Sequence, residues 1–423
     1  MTVGLKNLTY QNLEENKMRS VWALLCLTLL SNADDLDMFD IVDNDMNVTQ
    51  SVNQSHKNIR IKFSHLLQNE SSYKSVLYAN ISDNKENYVY DLRIEANEDM
   101  QSLHIKDLYY KTAYNERYFF ELGRMNIKEG IASGYNPTDY FKGGSSFTLS
   151  VDPKEKKENR LGALLIQASA ILDDMTIKVL YAPKVSIKSQ SIWSSKTYVG
   201  AHLDESNSQD RTTLYVGYTG FDTMSISGLL HTNDDGLNLG VNLSYIDEGT
   251  IWYMEGSIVE KKNNITTVLG TKNPAQSYSP ELSLGVNYTS ATNIVGTFEY
   301  IYNHAGFNNG DWKNYFSLSK KSPLYAGELA KERGALLGNA KMMSKHTLFM
   351  MARQSDVLTN LDWTLLSWLN PVDKSSLLQV GMSYAYEEVL FSIDARAYMG
   401  TSHTEYGSYP NDYEGLLSMT YFF

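Results

Sequence analysis

Run after run of about 9 to 14 residues in this chain alternates apolar and polar side chains one by one, and that period restricts the fold more than any other feature. Leu237, Leu239, Val241, Leu243 and Tyr245 interleave with Asn238, Gly240, Asn242 and Ser244. Leu378, Val380, Met382, Tyr384 and Tyr386 interleave with Gln379, Gly381, Ser383 and Ala385, and Tyr88, Tyr90, Leu92 and Ile94 with Val89, Asp91, Arg93 and Glu95. A period of two is that of a β-strand with one face to each side. The second face, rich in Gly, Ser and Asn, is too small and polar for a packed core and suits a water-filled lumen. No stretch reaches the roughly 18 apolar residues of a spanning helix. Passage through a bilayer would therefore be by strands, each needing about 9 to 11 tilted residues.

About 18 such runs can be placed between residues 57 and 423, with 16 to 18 the expected range. The links between them are sorted by length. The five long ones, 129–158, 188–210, 261–279, 304–340 and 401–411, all come after odd-numbered runs. Even-numbered runs end in short turns such as Asn115-Glu116, Asp173-Asp174, Gly220, Glu248-Gly249 and Glu387. A soluble sandwich has no reason to segregate its loops, whereas an outer-membrane barrel has short turns at one end and long loops at the other. The pattern predicts an all-β chain whose residues 57–423 form a transmembrane antiparallel β-barrel, with both termini on the short-turn, periplasmic side.

Composition agrees with strands. Tyrosine, a strand former with an amphipathic ring, occurs 30 times, and aromatics make up 12% of the residues. A mean hydropathy of -0.35 would be too polar for a helical membrane protein, but a barrel shows only alternate residues to lipid. In the last stretch Leu417, Met419, Tyr421 and Phe423 share a face, with Ser418 and Thr420 on the other. This ending, with Phe423 last and Tyr421 two before it, resembles the C-terminal signal of bacterial outer-membrane β-barrels. It departs from that signal at Ser418, where glycine is usual, and at Leu416, where a polar residue is usual. The alternative is a half-buried terminal strand in a soluble β-sandwich.

At the other end, Lys17 and Arg19 precede the apolar run Val21 to Leu30, and Ser31 and Ala33 supply the small residues before a cut. The run is too short to span a bilayer. Residues 1–33 are expected to be an extension plus signal peptide, starting at Met18 and cleaved after Ala33. Residues 34–56 are expected to be a solvated periplasmic segment. The start of a calcium loop at Asp43-Asn44-Asp45 fails, because Val48 and Gln54 stand where the turn glycine and the last glutamate belong. The only cysteine, Cys26, lies in the leader, so the mature chain would carry no disulfide.

A net charge of -12 excludes nucleic acid as a partner, since phosphate neutralisation needs a surplus of Lys and Arg. In a channel it would favour cations.

The most distinctive motif is Gly123-Arg124-Met125-Asn126-Ile127-Lys128-Glu129-Gly130, with Asn136-Pro137-Thr138-Asp139 a few residues later. It is similar to a strand-to-loop passage of several porin-like outer-membrane families, a Gly-Arg strand leading to an Asn-Pro-x-Asp turn. Pro137 fixes φ, and Asp139 can cap the segment after it. On this reading Arg124, Asn126 and Lys128 point inward near the mouth, and loop 129–158 folds into the lumen as a constriction with Asp139 opposite the cations. Asp91 and Arg93, on the polar face of an early run, join them as lumen residues. Equally, Arg124 pairs with a neighbouring carboxylate and only holds the loop. Glu121 and Arg124 have opposite parity, so one charge would face lipid unless a bulge at Gly123 shifts the register.

The link 304–340 contains a helix-like Leu324 to Arg333, read as a lid or as a solvated loop with one short helix. Catalysis finds little support, because His104, His231, His304, His346 and His403 lack zinc spacing and no Gly-x-Ser-x-Gly or phosphate loop occurs. An outer-membrane hydrolase would need a Ser and His pair on the wall. The expected function is a porin-like channel for small hydrophilic solutes in the outer membrane of a Gram-negative bacterium. No cofactor is needed, and its partners would be membrane lipid, lipopolysaccharide and those solutes, with a homo-oligomer left open. The alternative is a plugged barrel that serves recognition, surface-polymer export or assembly through its loops.

Overall fold

The computed structural model describes residues 58–68, 74–97, 101–142, 149–186, 190–194, 197–199, 202–262, 276–321, 323, 326–327, 330 and 342–423. The expected leader and the aspartate-rich segment lie outside them, as does most of the helix-like stretch 324–333.

The first strands are β1 (Asn58–Gln68), β2 (Lys74–Asn84), β3 (Tyr88–Asn97), β4 (Gln101–Tyr114), β5 (Tyr118–Met125), β6 (Ala163–Leu172) and β7 (Met175–Ala182). A small hairpin comes next, β8 (Gln190–Ser194) and β9 (Thr197–Val199). Then come β10 (Arg211–Tyr218), β11 (Met224–Asn233), β12 (Gly236–Asp247), β13 (Thr250–Lys262), β14 (Gln276–Thr289) and β15 (Ile294–Asn303). The last five are β16 (His346–Leu358), β17 (Leu361–Asn370), β18 (Ser375–Tyr386), β19 (Val389–Met399) and β20 (Tyr413–Phe422). Among the described residues the links hold the helices α1 (Pro153–Glu158), α2 (Leu203–Ser206) and α3 (Asn309–Ser319).

Each wall strand pairs antiparallel with the next, β7 passes directly to β10, and β20 closes on β1 from Arg60↔Phe422 to Gln68↔Glu414. Of the 20 strands among the described residues, β8 and β9 lie outside this circuit, and the other 18 form the closed barrel. The expected runs recur nearly residue for residue, with three differences. The β16–β17 turn lies around Asn360, which carries its positive φ of 63°, rather than at residues 354–355. Strand β5 stops at Met125, so the loop after it runs over residues 126–162. The link after β7 is not plain loop, because β9 adds a parallel pairing to the first residues of β4, Gln101↔Thr197 to Leu103↔Val199. There β4 extends beyond the end of β5, and β9 supplies main-chain partners to an edge that would otherwise be bare.

Outward faces carry Phe63, Phe120, Leu122, Ile166, Leu239, Ile393 and Leu417, all exposed, which is a surface made for hydrocarbon. At the short-turn ends Tyr88, Tyr114, Tyr118, Tyr245, Trp252, Tyr288 and Tyr386 are exposed in an aromatic girdle. Inward faces hold the small polar residues and two apolar clusters, one around Met125, Leu165 and Leu180, the other around Ile301, Phe349 and Leu366. Ser418, where the terminal signal usually has glycine, belongs to a row of inward serines, Ser64, Ser418, Ser392 and Ser383, in register across β1, β20, β19 and β18. Its hydroxyl lies 2.9 Å from that of Ser64, so a glycine there would remove a hydrogen bond across the closing seam.

Val241 sits mid-strand on the outward face between Gly228 and Gly256. Val241→Arg is expected to cost about 2–4 kcal/mol of stability in lipid vesicles, measured by denaturant unfolding, because a charge there meets hydrocarbon. An unchanged midpoint would contradict the lipid-facing assignment.

Candidate functional site: a loop clamped across the lumen

The long loop begins where β5 ends. Gly123 marks the exit: its φ is +140°, and a Cβ at this position would lie only 2.6 Å from Tyr109 Cα, so only glycine lets β5 run this close to β4. The register of β5 with β4 and β6 nevertheless continues unbroken to Met125. The irregularity lies one pair earlier, between β3 and β4, where Lys106 is the extra residue between the pairs Asp91↔Asp107 and Leu92↔Ile105.

From Gly130 the chain crosses the barrel and meets the far wall at three carboxylates on three consecutive strands. Glu255 of β13 accepts from the backbone N–H groups of Ile131 at 2.8 Å, Ala132 at 2.9 Å and Thr138 at 2.8 Å, and from the Thr138 hydroxyl at 2.8 Å. Glu299 of β15 accepts from the N–H groups of Ser133 at 3.0 Å, Gly134 at 3.1 Å and Tyr135 at 2.9 Å, and from the Tyr253 hydroxyl at 2.8 Å. Glu281 of β14 accepts from the Tyr135 hydroxyl at 2.8 Å. Five consecutive N–H groups, 131 to 135, thus converge on two carboxylates with full desolvation of both, since Glu255 and Glu299 are each 0% exposed. Such a run of amides is an anion-binding concavity, here filled by the protein's own side chains. Hydrogen bonds to a charged acceptor contribute about 1.5–3 kcal/mol each, which offsets part of the cost of burying the carboxylates.

The rest of the loop is tied with equal care. The Asn136-Pro137-Thr138-Asp139 turn closes with Asp139 N donating to Asn136 O at 3.3 Å. Asp139 pairs with Arg160 at 2.8 Å, both buried, and Arg160 Nε donates to Asn126 Oδ1 at 2.8 Å. One guanidinium therefore joins the start, the middle and the end of the loop. Tyr140 stacks on His231, ring centroids 4.5 Å apart, and burial pushes its phenol up to about 12. Arg93 reaches from β3 to Asn159 at 3.1 Å while lying over the Tyr78 ring, so the loop touches opposite walls.

Of the site residues expected from the sequence, Arg124 is buried; by register it shares the face of the exposed Phe120 and Leu122, and its guanidinium bonds Gly162 O at 2.9 Å and Ser206 Oγ at 3.5 Å. Glu121, of the other parity, bonds Gln167. Arg124 is thus tied into the rim of the wall, next to the turn that carries Ser206. Asn126 is a tether, its N–H on Asp107 at 2.6 Å and its amide on Lys157 O at 3.0 Å. Asp91 holds Lys106 at 2.5 Å. Lys128 is exposed to water, although its surroundings hold its pKa below the ordinary amine value, burial first and the neighbouring Lys106 adding to it against the pull of Glu158.

Lys156 on α1 combines the same two properties. Its surface is exposed, yet burial among protein atoms is the main cause lowering its pKa, with the Arg396 charge second and Asp152 opposing. Across from it on β19, Arg396 bonds Gln379 at 2.9 Å and approaches Glu414 at 3.6 Å. Among the described residues its remaining terminal nitrogen, Nη2, has no hydrogen-bond partner. Residues 154–158, whose charge run reads in the sequence as a solvated loop tip, belong to α1, and neither Arg396 nor the three glutamates stood out in the sequence. A single Glu on the small polar face of three successive runs was the available signal for the clamp.

No protein-family model matches the chain, and no curated protein does. Solved structures do match in fold. The outer membrane protein OpdK of Pseudomonas aeruginosa is 7% identical over 88% of this chain and 98% of its own, with a TM-score of 0.51. OccK10 (OpdN) of the same organism is 8% identical over 87% and 99%, also at 0.51. OpdQ is 8% identical over 87% and 98%, at 0.50. At such identities the likeness is one of fold, the closed 18-strand antiparallel barrel.

Arg160→Met leaves the buried Asp139 carboxylate without its cation and is expected to cost about 3–5 kcal/mol, read as a lowered urea midpoint. The double variant Arg160→Met with Asp139→Asn is expected to recover part of that loss. A single variant as stable as the parent would contradict the clasp.

Proposed function

We propose that this chain is a passive channel for small hydrophilic solutes in the outer membrane of a Gram-negative bacterium, with loop 126–162 setting the narrowest cross-section. The observation that carries the reading is a closed barrel with small polar inner faces, whose long loop after β5 carries Lys156 open to water. The lipid-type outer belt, the polar inner faces and the fold shared with outer-membrane proteins support it. Both termini would then lie on the periplasmic side, where the short turns are.

Charge at the narrow point is mixed. Lys156, Arg396 and Lys62 stand with Asp152, Glu155 and Asp394 as the charges around this part of the lumen. The net charge of -12 favours cations at the mouths. Three of the lumenal carboxylates that would extend this preference inward are occupied by the loop's own donors. We therefore expect a weak preference for cations, opposed at the narrow point by Lys156.

Purified protein in a planar bilayer is expected to give steady single-channel conductance, and Lys156→Glu to move the reversal potential in a salt gradient toward cations relative to the parent. A barrel that passes no ions in several lipids would favour a plugged barrel serving recognition. A reversal potential that ignores Lys156→Glu would remove Lys156 from the passage.

A further inference from the structure

The clamp is made of carboxylates rather than neutral amides or hydroxyls, and this choice has a chemical consequence. We infer that Glu255 and Glu299 are positioning residues that set the channel's aperture through the constriction loop, and that their protonation in acid releases the loop and changes the aperture. The inference rests on the channel function proposed above.

An ionised carboxylate offers only acceptors, whereas a protonated one turns an oxygen into a donor. Glu255 and Glu299 face donors almost exclusively: the N–H groups of residues 131 to 135 and 138, and the hydroxyls of Thr138 and Tyr253. A proton on either carboxyl removes the charge that strengthens these bonds, and among these partners only the Thr138 or Tyr253 hydroxyl can accept it, the rest being N–H donors. Loss of that charge weakens the hold on the segment. The bonds exist while the carboxylates are ionised and are lost as pH falls through their protonation.

The titratable groups around the pair do not substitute for it. Glu281 of β14 is a third acid, engaged with the Tyr135 hydroxyl. Tyr253 of β13 and Tyr135 of the loop are donors to these carboxylates, and Tyr140 donates to or accepts from Ser257. On the loop, Asp139 is held by Arg160, and Lys142 lies over the Tyr135 ring with its ammonium on Asn136 O at 2.7 Å. His231 of β11 stacks on Tyr140. The donors that hold the two glutamates are therefore neutral, and acidification supplies no cation that would keep them ionised. Of the loop's other ties, Arg160 joins Asp139 to Asn126, Arg93 holds Asn159, and Ser283, Asn242 and Ser257 meet Tyr135, Thr138 and Tyr140. Release at the glutamates loosens residues 131–134 between ties that stay in place, which makes the response an aperture change with the fold intact.

The test compares the full-length parent with Glu255→Gln/Glu299→Gln and with Asp234→Asn, a loop carboxylate outside the clamp, in planar bilayers from about pH 7.5 to about pH 4. The parent and Asp234→Asn are expected to show one conductance at neutral pH and a reversible transition to another in acid. The double variant is expected to show the acid-type conductance already at neutral pH and a flat profile. Hydrogen exchange read by mass spectrometry supplies a readout independent of conduction: amides 131–135 are expected to be protected in the parent at neutral pH and to lose that protection in the double variant, with strand amides unchanged. A parent profile flat in pH, or a double variant conducting like the parent at neutral pH, would overturn the inference. So would amides 131–135 that stay protected in the double variant. A parent that conducts nothing at any pH would instead count against the channel function, and the exchange data would then decide the clamp alone.

Discussion

Everything in this molecule depends on the pairing of β20 with β1. In hydrocarbon no water is available to backbone N–H and C=O groups, so a sheet can cross a membrane only if it has no edge. Nine register pairs from Arg60↔Phe422 to Gln68↔Glu414 remove the last one. Closure then divides every strand into an outward face that must be apolar and an inward face released from that demand, which is why the alternation in the sequence is so regular. Among the described residues, the part of β4 beyond the end of β5 receives β9 as a parallel partner along Gln101 to Leu103.

Closure also creates an interior in which the usual rules for polar groups invert. A carboxylate on an outward face would be costly, whereas on an inward face it can hold another part of the chain. The loop from β5 uses this: a run of backbone amides that would otherwise be unsatisfied in a crowded lumen meets Glu255 and Glu299, and each partner offsets part of the desolvation penalty of the other. Arg160 fastens the ends of the same loop to its middle. The consequence is a partition held in the lumen with a defined position, and beside it the water-exposed Lys156 facing the Arg396 wall.

The fold was legible because its signal is periodic and repeated. Alternation set strand identity, loop sorting set the two ends, and even Glu387 and Asn115 stood in the turns where positive φ places them. The site was only partly legible. The loop after β5 could be located from Gly123 and the Asn136-Pro137-Thr138-Asp139 turn, but not the residues it would meet, because Glu255 and Glu299 are more than 100 positions away in sequence, with separations such as 124 and 166. Partners across a lumen depend on barrel circumference and loop path, which no local pattern encodes. Arg124 illustrates the same limit from the other side. Its parity could be counted, but its burial depends on Ser206, brought to it by the return of a link 82 residues further on.

A water-filled passage running past Lys156 is the central claim, and a Lys156→Cys variant in a planar bilayer, treated with small water-soluble thiol reagents of either charge, tests it most directly. Reagents are expected to reach the cysteine from the aqueous phase, modification to lower single-channel current, and cationic and anionic adducts to shift ion selectivity in opposite directions. A cysteine that stays unmodified while the channel conducts, or a modified one that leaves both current and selectivity unchanged, would contradict it.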